Sequence, residues 1–184
     1  MASRYRLRPA RFTRGLGLKR GQVMFLAKFF GVLVALYLLV AWNPVNDHVI
    51  VPITAGIART AGWLLRTMGQ DVAVTGTTIT SSRFGVNINN GCNGIEAIIL
   101  LVAAMGAFPA SLRARLLGLL LTAAGVQLLN QVRIISLYLI GAYRPSLFAT
   151  FHTAIWQVVV VLAAIMMFLL WSARVTPDRL ANSP

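Results

Sequence analysis

At 184 residues the chain is long enough for one domain, yet 58% of it is apolar and only 11% charged, with a mean hydropathy of +0.74. That balance excludes an ordinary soluble globule and points to an integral membrane protein. The net charge of +13 would suit a nucleic-acid binder, but the basic residues crowd beside apolar runs, where they mark membrane flanks, so no nucleic acid is expected as a partner.

The N-terminus carries Arg4, Arg6, Arg8, Arg11, Arg14, Lys19 and Arg20. Residues 1–22 therefore read as a basic cytoplasmic segment. The apolar run that follows, Val23 to Trp42, is too long for the core of a signal peptide and ends in Ala-Trp-Asn-Pro, without a small-residue cleavage site. It reads as a retained first span.

Residues 49–68 are amphipathic. Ile50, Ile53, Ile57, Ala61, Leu64, Leu65 and Met68 recur on one helical face, with Arg59, Thr60, Arg66 and Thr67 on another. Inserting Arg59 at the bilayer centre would cost roughly 2.5–3.5 kcal/mol. A span here would also turn Arg113, Arg115, Arg174 and Arg179 to the outer side, so the segment is expected to lie in the interface. Within 71–90, Val72, Val74, Ile79, Phe84, Val86 and Ile88 show stretches of period-two alternation among threonines, predicting a short extracytoplasmic β-hairpin. Further spans are predicted over 93–110, 114–143 and 153–173, the second of these four being short and the third long enough to project beyond the lipid.

The expected fold is thus an all-α integral membrane protein of about four transmembrane helices, with an interfacial helix and a small hairpin. A single membrane domain fills 1–184: a membrane core over 23–173, an outer segment over 43–91 and a cytoplasmic tail over 174–184. With the first span starting inside, the turn holding Arg113 and Arg115 and the tail holding Arg174 and Arg179 both fall on the cytoplasmic side. Both termini are then cytoplasmic.

Three residues stand out as chemistry. Cys92, in Asn-Gly-Cys-Asn-Gly at 90–94, lies where the ribbon gives way to the second span. The lone thiol cannot form an internal disulfide, a Cys-x-x-Cys pair or a thiolate metal cluster, and neither a metal nor another cofactor is expected. Asn90 or Asn93 can cap the following helix, and Asn93 with Glu96 resembles a capping box. A helix N-terminus there would favour the thiolate. Arg133 interrupts an apolar helix about 27 Å from Arg115 at ~1.5 Å per residue, with Asn130 and Gln127 on preceding turns of the same stripe. His152 precedes the last span, whereas His48 and Asp47 read as surface loop.

The four-span topology brings Cys92, Arg133 and His152 to the same outer face. Together they offer a nucleophile, a general acid/base and a stabiliser of the oxyanion, the thiolate or both. Glu96 is either a cap or a group that orients His152 or Arg133. Asn90, Asn93 and Asn130 are supporting candidates. Arg144 reads as an interface anchor or a substrate contact.

In Asn-Gly-Cys-Asn-Gly-Ile-Glu at 90–96, Asn-Gln-Val-Arg-Ile-Ile-Ser at 130–136 and the later His152, the chain resembles the exosortase/archaeosortase family. Val72-Ala-Val-Thr-Gly-Thr-Thr-Ile-Thr-Ser81 and Phe84-Gly-Val-Asn-Ile88 resemble its compact exosortase H subgroup. The resemblance covers roughly 23–172. It implies a cysteine transpeptidase or protease of the bacterial cytoplasmic (inner) membrane, with its site on the periplasmic side. The implied partners are exported proteins ending in a short motif, a transmembrane helix and a basic end, and an acceptor that is lipid- or glycan-linked. Tails of the Ile-Pro-Thr-Leu…Trp-Gly kind, rather than the Pro-Glu-Pro kind, go with the subgroup. Longer bacterial members carry helices that this chain lacks. Two other classes remain open on the residues alone: a membrane phosphatase or phosphotransferase, for which Arg144-Pro145 is too little, and a non-enzymatic scaffold or carrier, which would tolerate loss of the thiol.

Overall fold

A computed structural model describes residues 20–175. The basic stretch from Arg4 to Lys19 and the tail residue Arg179 lie outside them. Five helical segments and a small sheet make up the fold: α1 (Arg20–Ala41), α2 (Asn43–Thr67), β1 (Ala73–Thr75), β2 (Thr78–Thr80), β3 (Gly85–Asn87), α3 (Ile95–Ala107), α4 (Leu112–Tyr143) and α5 (Pro145–Val175). The fold is helical and membrane-type as expected, with four helices long and apolar enough to cross a bilayer.

The set of four differs from the expected one. Helix α2 qualifies by length and composition, whereas α3, at 13 residues or about 20 Å, is shorter than the ~30 Å hydrocarbon core. The predicted span over 93–110 is thus trimmed at both ends. Gly94 caps its start, and Phe108, in extended conformation ahead of Pro109, ends it.

Helix α2 begins earlier than the amphipathic pattern suggested. Trp42 takes an extended conformation and Pro44 falls in the first turn, so a new helix starts directly after α1. Asp47 and His48 therefore sit in a π-helical turn, Asn46–Ile50, rather than in a loop. The buried face of α2 holds Thr54, Ile57, Ala58, Ala61 and Leu65, while Ile53 and Met68, assigned to the apolar stripe, are exposed. Arg59, Thr60, Arg66 and Thr67 are exposed as well.

The predicted hairpin is a three-stranded antiparallel meander in the order β1-β2-β3. The alternation read at Phe84, Val86 and Ile88 belongs to β3, which a break at Ser81, Ser82 and Arg83 separates from β2, so the sheet has one strand more than a hairpin. The central Ile79 is fully buried, opposite Val74 on one side and Val86 on the other.

Two packing layers follow, and they are built differently. The first joins α1, α3, the early part of α4 and α5. Its interior is rich in small residues: Ala97, Ala103, Ala107, Gly118 and Ala164 are buried, with Leu101, Met105 and Trp171 between them. Small side chains let backbones approach where lipid-like surroundings supply no hydrophobic drive between helices. A side-chain carbon at Gly118 would collide with the Trp171 indole, which donates to Ala114 O at 3.0 Å. Large apolar side chains cover the outside, and α1 buries no residue at all.

The second layer is a cap with an ordinary apolar core: Ile57, Leu65, Val72, Ile79, Ile88, Ile134 and Tyr138. It joins α2 and the sheet to the last third of α4. Gln131 donates to Ile57 O, and Tyr143, twelve residues further along α4, donates to Gln70, so α2 runs alongside that stretch. At 32 residues, about 48 Å, α4 is long enough to belong to both layers.

Phe84 wedges the cap against the final helix. Its ring meets Tyr138 edge-on at 6.2 Å and Phe148 at 5.2 Å, and it fills the space left by Gly141. Gly141→Ala would drive a methyl group into that ring. We expect a loss of about 1–3 kcal/mol in stability from overpacking, read as a lower melting temperature of the purified protein in detergent; an unchanged melt would refute the wedge.

Candidate active site

The loop between β3 and α3 is bent twice by glycines. Gly91 and Gly94 have φ of 85° and 79°, backbone conformations that a Cβ disfavours. Between them Cys92 is half-buried, with its N–H donated to Asn89 O at 2.9 Å. Cys92 Sγ lies 3.1 Å from His152 Nε2 and 3.7 Å from the Arg133 guanidinium. Arg133 also donates to Gly91 O at 3.2 Å and is only 3% exposed. Three side chains from the loop, α4 and α5, up to 60 positions apart, thus meet at one sulfur.

His152 does not precede the last helix as expected. Helix α5 starts at Pro145, and His152 lies within it, in the π-helical turn Phe151–Ile155. Such turns are enriched at functional sites. The imidazole stacks on Phe148 at 5.5 Å and 9°, which fixes the ring plane while Nε2 faces the sulfur.

The helix-terminus expectation for Cys92 needs correction. Gly94 is the N-cap, so the cysteine lies two residues ahead of it, where the dipole has largely fallen away. Burial pushes the thiol above its ordinary pKa; Arg133 pulls it down and Glu96 adds to the rise. Burial thus opposes the thiolate at this position, and Arg133 is the charge that favours it.

Asn93 and Glu96 form a variant of the expected capping box. Asn93 Oδ1 accepts from Ile95 N at 3.1 Å, while Glu96 reaches past the cap to accept from Gly91 N at 2.6 Å. Glu96 thus braces the loop and makes no hydrogen bond to His152 or Arg133, the groups it was expected to orient. Asn93 is fully buried and donates to Thr54 and Asn90, and Asn90 donates to Asn46. Asn130 is 1% exposed and packs beneath Gly94 without a hydrogen bond among the described residues. Its neighbour Gln127 holds Asn93 O at 3.1 Å instead. Sequence reasoning missed Thr54 and Asn46, which lie 39 and 44 positions from their partners and carry no local signal beyond a polar residue on a buried face.

Of the cavities that border the loop, two reach the residues around the sulfur. One, about 490 Å³, runs from Phe84 and β3 to Cys92, with Phe148 and His152 opposite. The other, about 230 Å³, opens between α1, α3 and α5 beside Glu96 and Arg133. Arg144 caps α4, exposed, away from the sulfur-centred contacts.

The family model described as transmembrane exosortase matches residues 15–171. The chain belongs to the transmembrane exosortase family. No curated protein and no solved structure matches it. In this exosortase the matched region includes all three residues that meet at the sulfur, and every element of both packing layers falls at least partly within it.

Proposed function

We propose that this exosortase is a membrane cysteine transpeptidase that cleaves the C-terminal sorting tail of exported proteins. The observation that carries the proposal is the 3.1 Å contact between Cys92 Sγ and His152 Nε2, with the Arg133 guanidinium 3.7 Å from the same sulfur. His152 takes the thiol proton as Sγ attacks the scissile carbonyl carbon. Arg133 supplies positive charge to the thiolate and then to the carbonyl oxygen. The tetrahedral adduct collapses as His152 returns the proton to the leaving amine, giving a thioester on Cys92. An acceptor amine or hydroxyl then gives up its proton to His152, attacks the thioester and regenerates the thiol, with the cleaved protein joined to a lipid- or glycan-linked acceptor. A scaffold or carrier needs neither the thiol nor its base.

The site is proposed to face the periplasm from the bacterial cytoplasmic (inner) membrane, with both termini in the cytoplasm. Arg20, Arg113, Arg115 and Arg174 stand at the helix ends farthest from Cys92, which suits the positive-inside rule. A substrate tail with its basic end inside would carry its recognition motif up to the sulfur.

The direct test is acid quenching of the purified enzyme with a tailed reporter. We expect an adduct on Cys92 whose mass equals the upstream fragment and which neutral hydroxylamine releases. A processed reporter with no hydroxylamine-sensitive adduct at any time point would overturn the thioester mechanism.

A further inference from the structure

The last strand before the nucleophile has an unpaired edge. In the β2–β3 ladder, Ser81 N donates to Phe84 O at 2.9 Å and Ile88 N donates to Thr77 O at 3.0 Å, with Ile79 opposite Val86 between them. Residues 84, 86 and 88 therefore turn their main-chain groups toward β2. By the alternation of an antiparallel ladder, Gly85 and Asn87 turn theirs away. Among the described residues no strand lies beyond β3 in the sheet order. Proteins usually protect such an edge with proline, a charged side chain or a covering segment. Gly85-Val86-Asn87 has no proline and no charge. What lies beside it is the cavity of about 490 Å³, which ends at Cys92 and His152.

We infer that the free edge of β3 binds an extended peptide as a fourth strand, paired through its main chain with Gly85 and Asn87, and so leads the scissile carbonyl to Cys92. The inference rests on the peptide-processing function proposed above and adds how the substrate is held. Strand addition suits a ligand whose residues ahead of the cut are unstructured, because the main chain supplies most of the affinity and alternate side chains the selection. The aromatic wall of Phe84 and Phe148 stands where that selection would occur. Only an extended peptide offers donors and acceptors at the two-residue repeat that this edge presents.

The test uses the full-length protein in detergent and its single cysteine. The probe is acetyl-tetra-alanine chloromethyl ketone, in which Sγ displaces chloride from the methylene carbon to form a thioether. A series carries one N-methyl group at each alanine in turn. Labelling of Cys92 is followed by mass, with iodoacetamide labelling as the reference rate. We expect N-methylation to slow labelling about tenfold at alternate alanines and to leave the others near the parent rate, since each blocked position loses a main-chain hydrogen bond and meets the strand edge. Equal rates across the series, uniform slowing, or labelling by iodoacetamide but not by the peptides would each overturn strand addition. A period-two pattern in a protein that fails to process any tailed reporter would retain the edge site and discard the enzymatic function.

Discussion

Cys92→Ala is expected to abolish maturation of a tailed reporter while the protein accumulates to its normal level. The proposed thioester needs the sulfur, and loss of a nucleophile in a comparable catalytic unit costs roughly 10⁴-fold or more. The fold should survive. Cys92 is half-buried and packs at the margin of the cap core, and its N–H contact to Asn89 is a main-chain bond that alanine keeps. Cys92→Ser is expected to be nearly as inactive, because a hydroxyl in a site that already disfavours the ionised thiol is far harder for His152 to deprotonate. The measurement is the size shift of the reporter in a pulse-chase, alongside the membrane level of each variant. Processing at the wild-type rate by Cys92→Ala would end the mechanism, whatever the fold.

Arg133 carries the second large expected effect, and it separates shape from charge. The guanidinium spans two partners, Gly91 O at 3.2 Å and Cys92 Sγ at 3.7 Å. A lysine ammonium is a point charge that cannot hold both in the same geometry. Arg133→Lys and Arg133→Ala are both expected to lower the processing rate by roughly 10²–10³-fold, the usual cost of removing an oxyanion donor. Arg133→Ala should also change the thiol. Arg133 is the charge that opposes the upward push of burial on Cys92. Its removal leaves the thiol to ionise at still higher pH. Iodoacetamide labelling at neutral pH should then be slower than in the wild type, and its rise with pH should move to the alkaline side. A merely structural arginine would lower protein level without moving that profile. Full processing by Arg133→Lys, or an unmoved profile in Arg133→Ala, would refute the assignment.

Much of this was legible in the sequence, for identifiable reasons. Apolar runs and basic flanks report directly on burial in lipid, and α1, α4 and α5 emerge from them. Cys92, Arg133 and His152 could be paired in advance because charge placement fixes which helix ends share a side, without any contact being known. The supports around them were less legible. Thr54 and Asn46 meet the loop across about forty positions, and nothing local marks them. Glu96 was read as a cap or an orienting group, but Gly94 takes the cap and the carboxylate reaches Gly91 instead. The start of α2 was missed because the amphipathic pattern begins only at 49, whereas Pro44 opens the helix earlier. The alternation at Phe84, Val86 and Ile88 was read, but the sheet was counted as a hairpin because period-two alternation reports side-chain faces and says nothing of how many times the chain reverses.

Helix α4 carries Arg115 near one end, where it donates to Phe108 O and Ala110 O, and Arg133 near the sulfur. The eighteen residue steps between them run along one uninterrupted helix, about 27 Å, without a proline. In the proposed orientation this makes the helix a gauge of depth. Cys92 stands at a set height above the cytoplasmic boundary, independent of what the substrate's tail contains. Under the proposed function a bond would be cut because it rests at that height, and the length of a substrate's transmembrane segment would then be as much a part of its address as the letters of its motif.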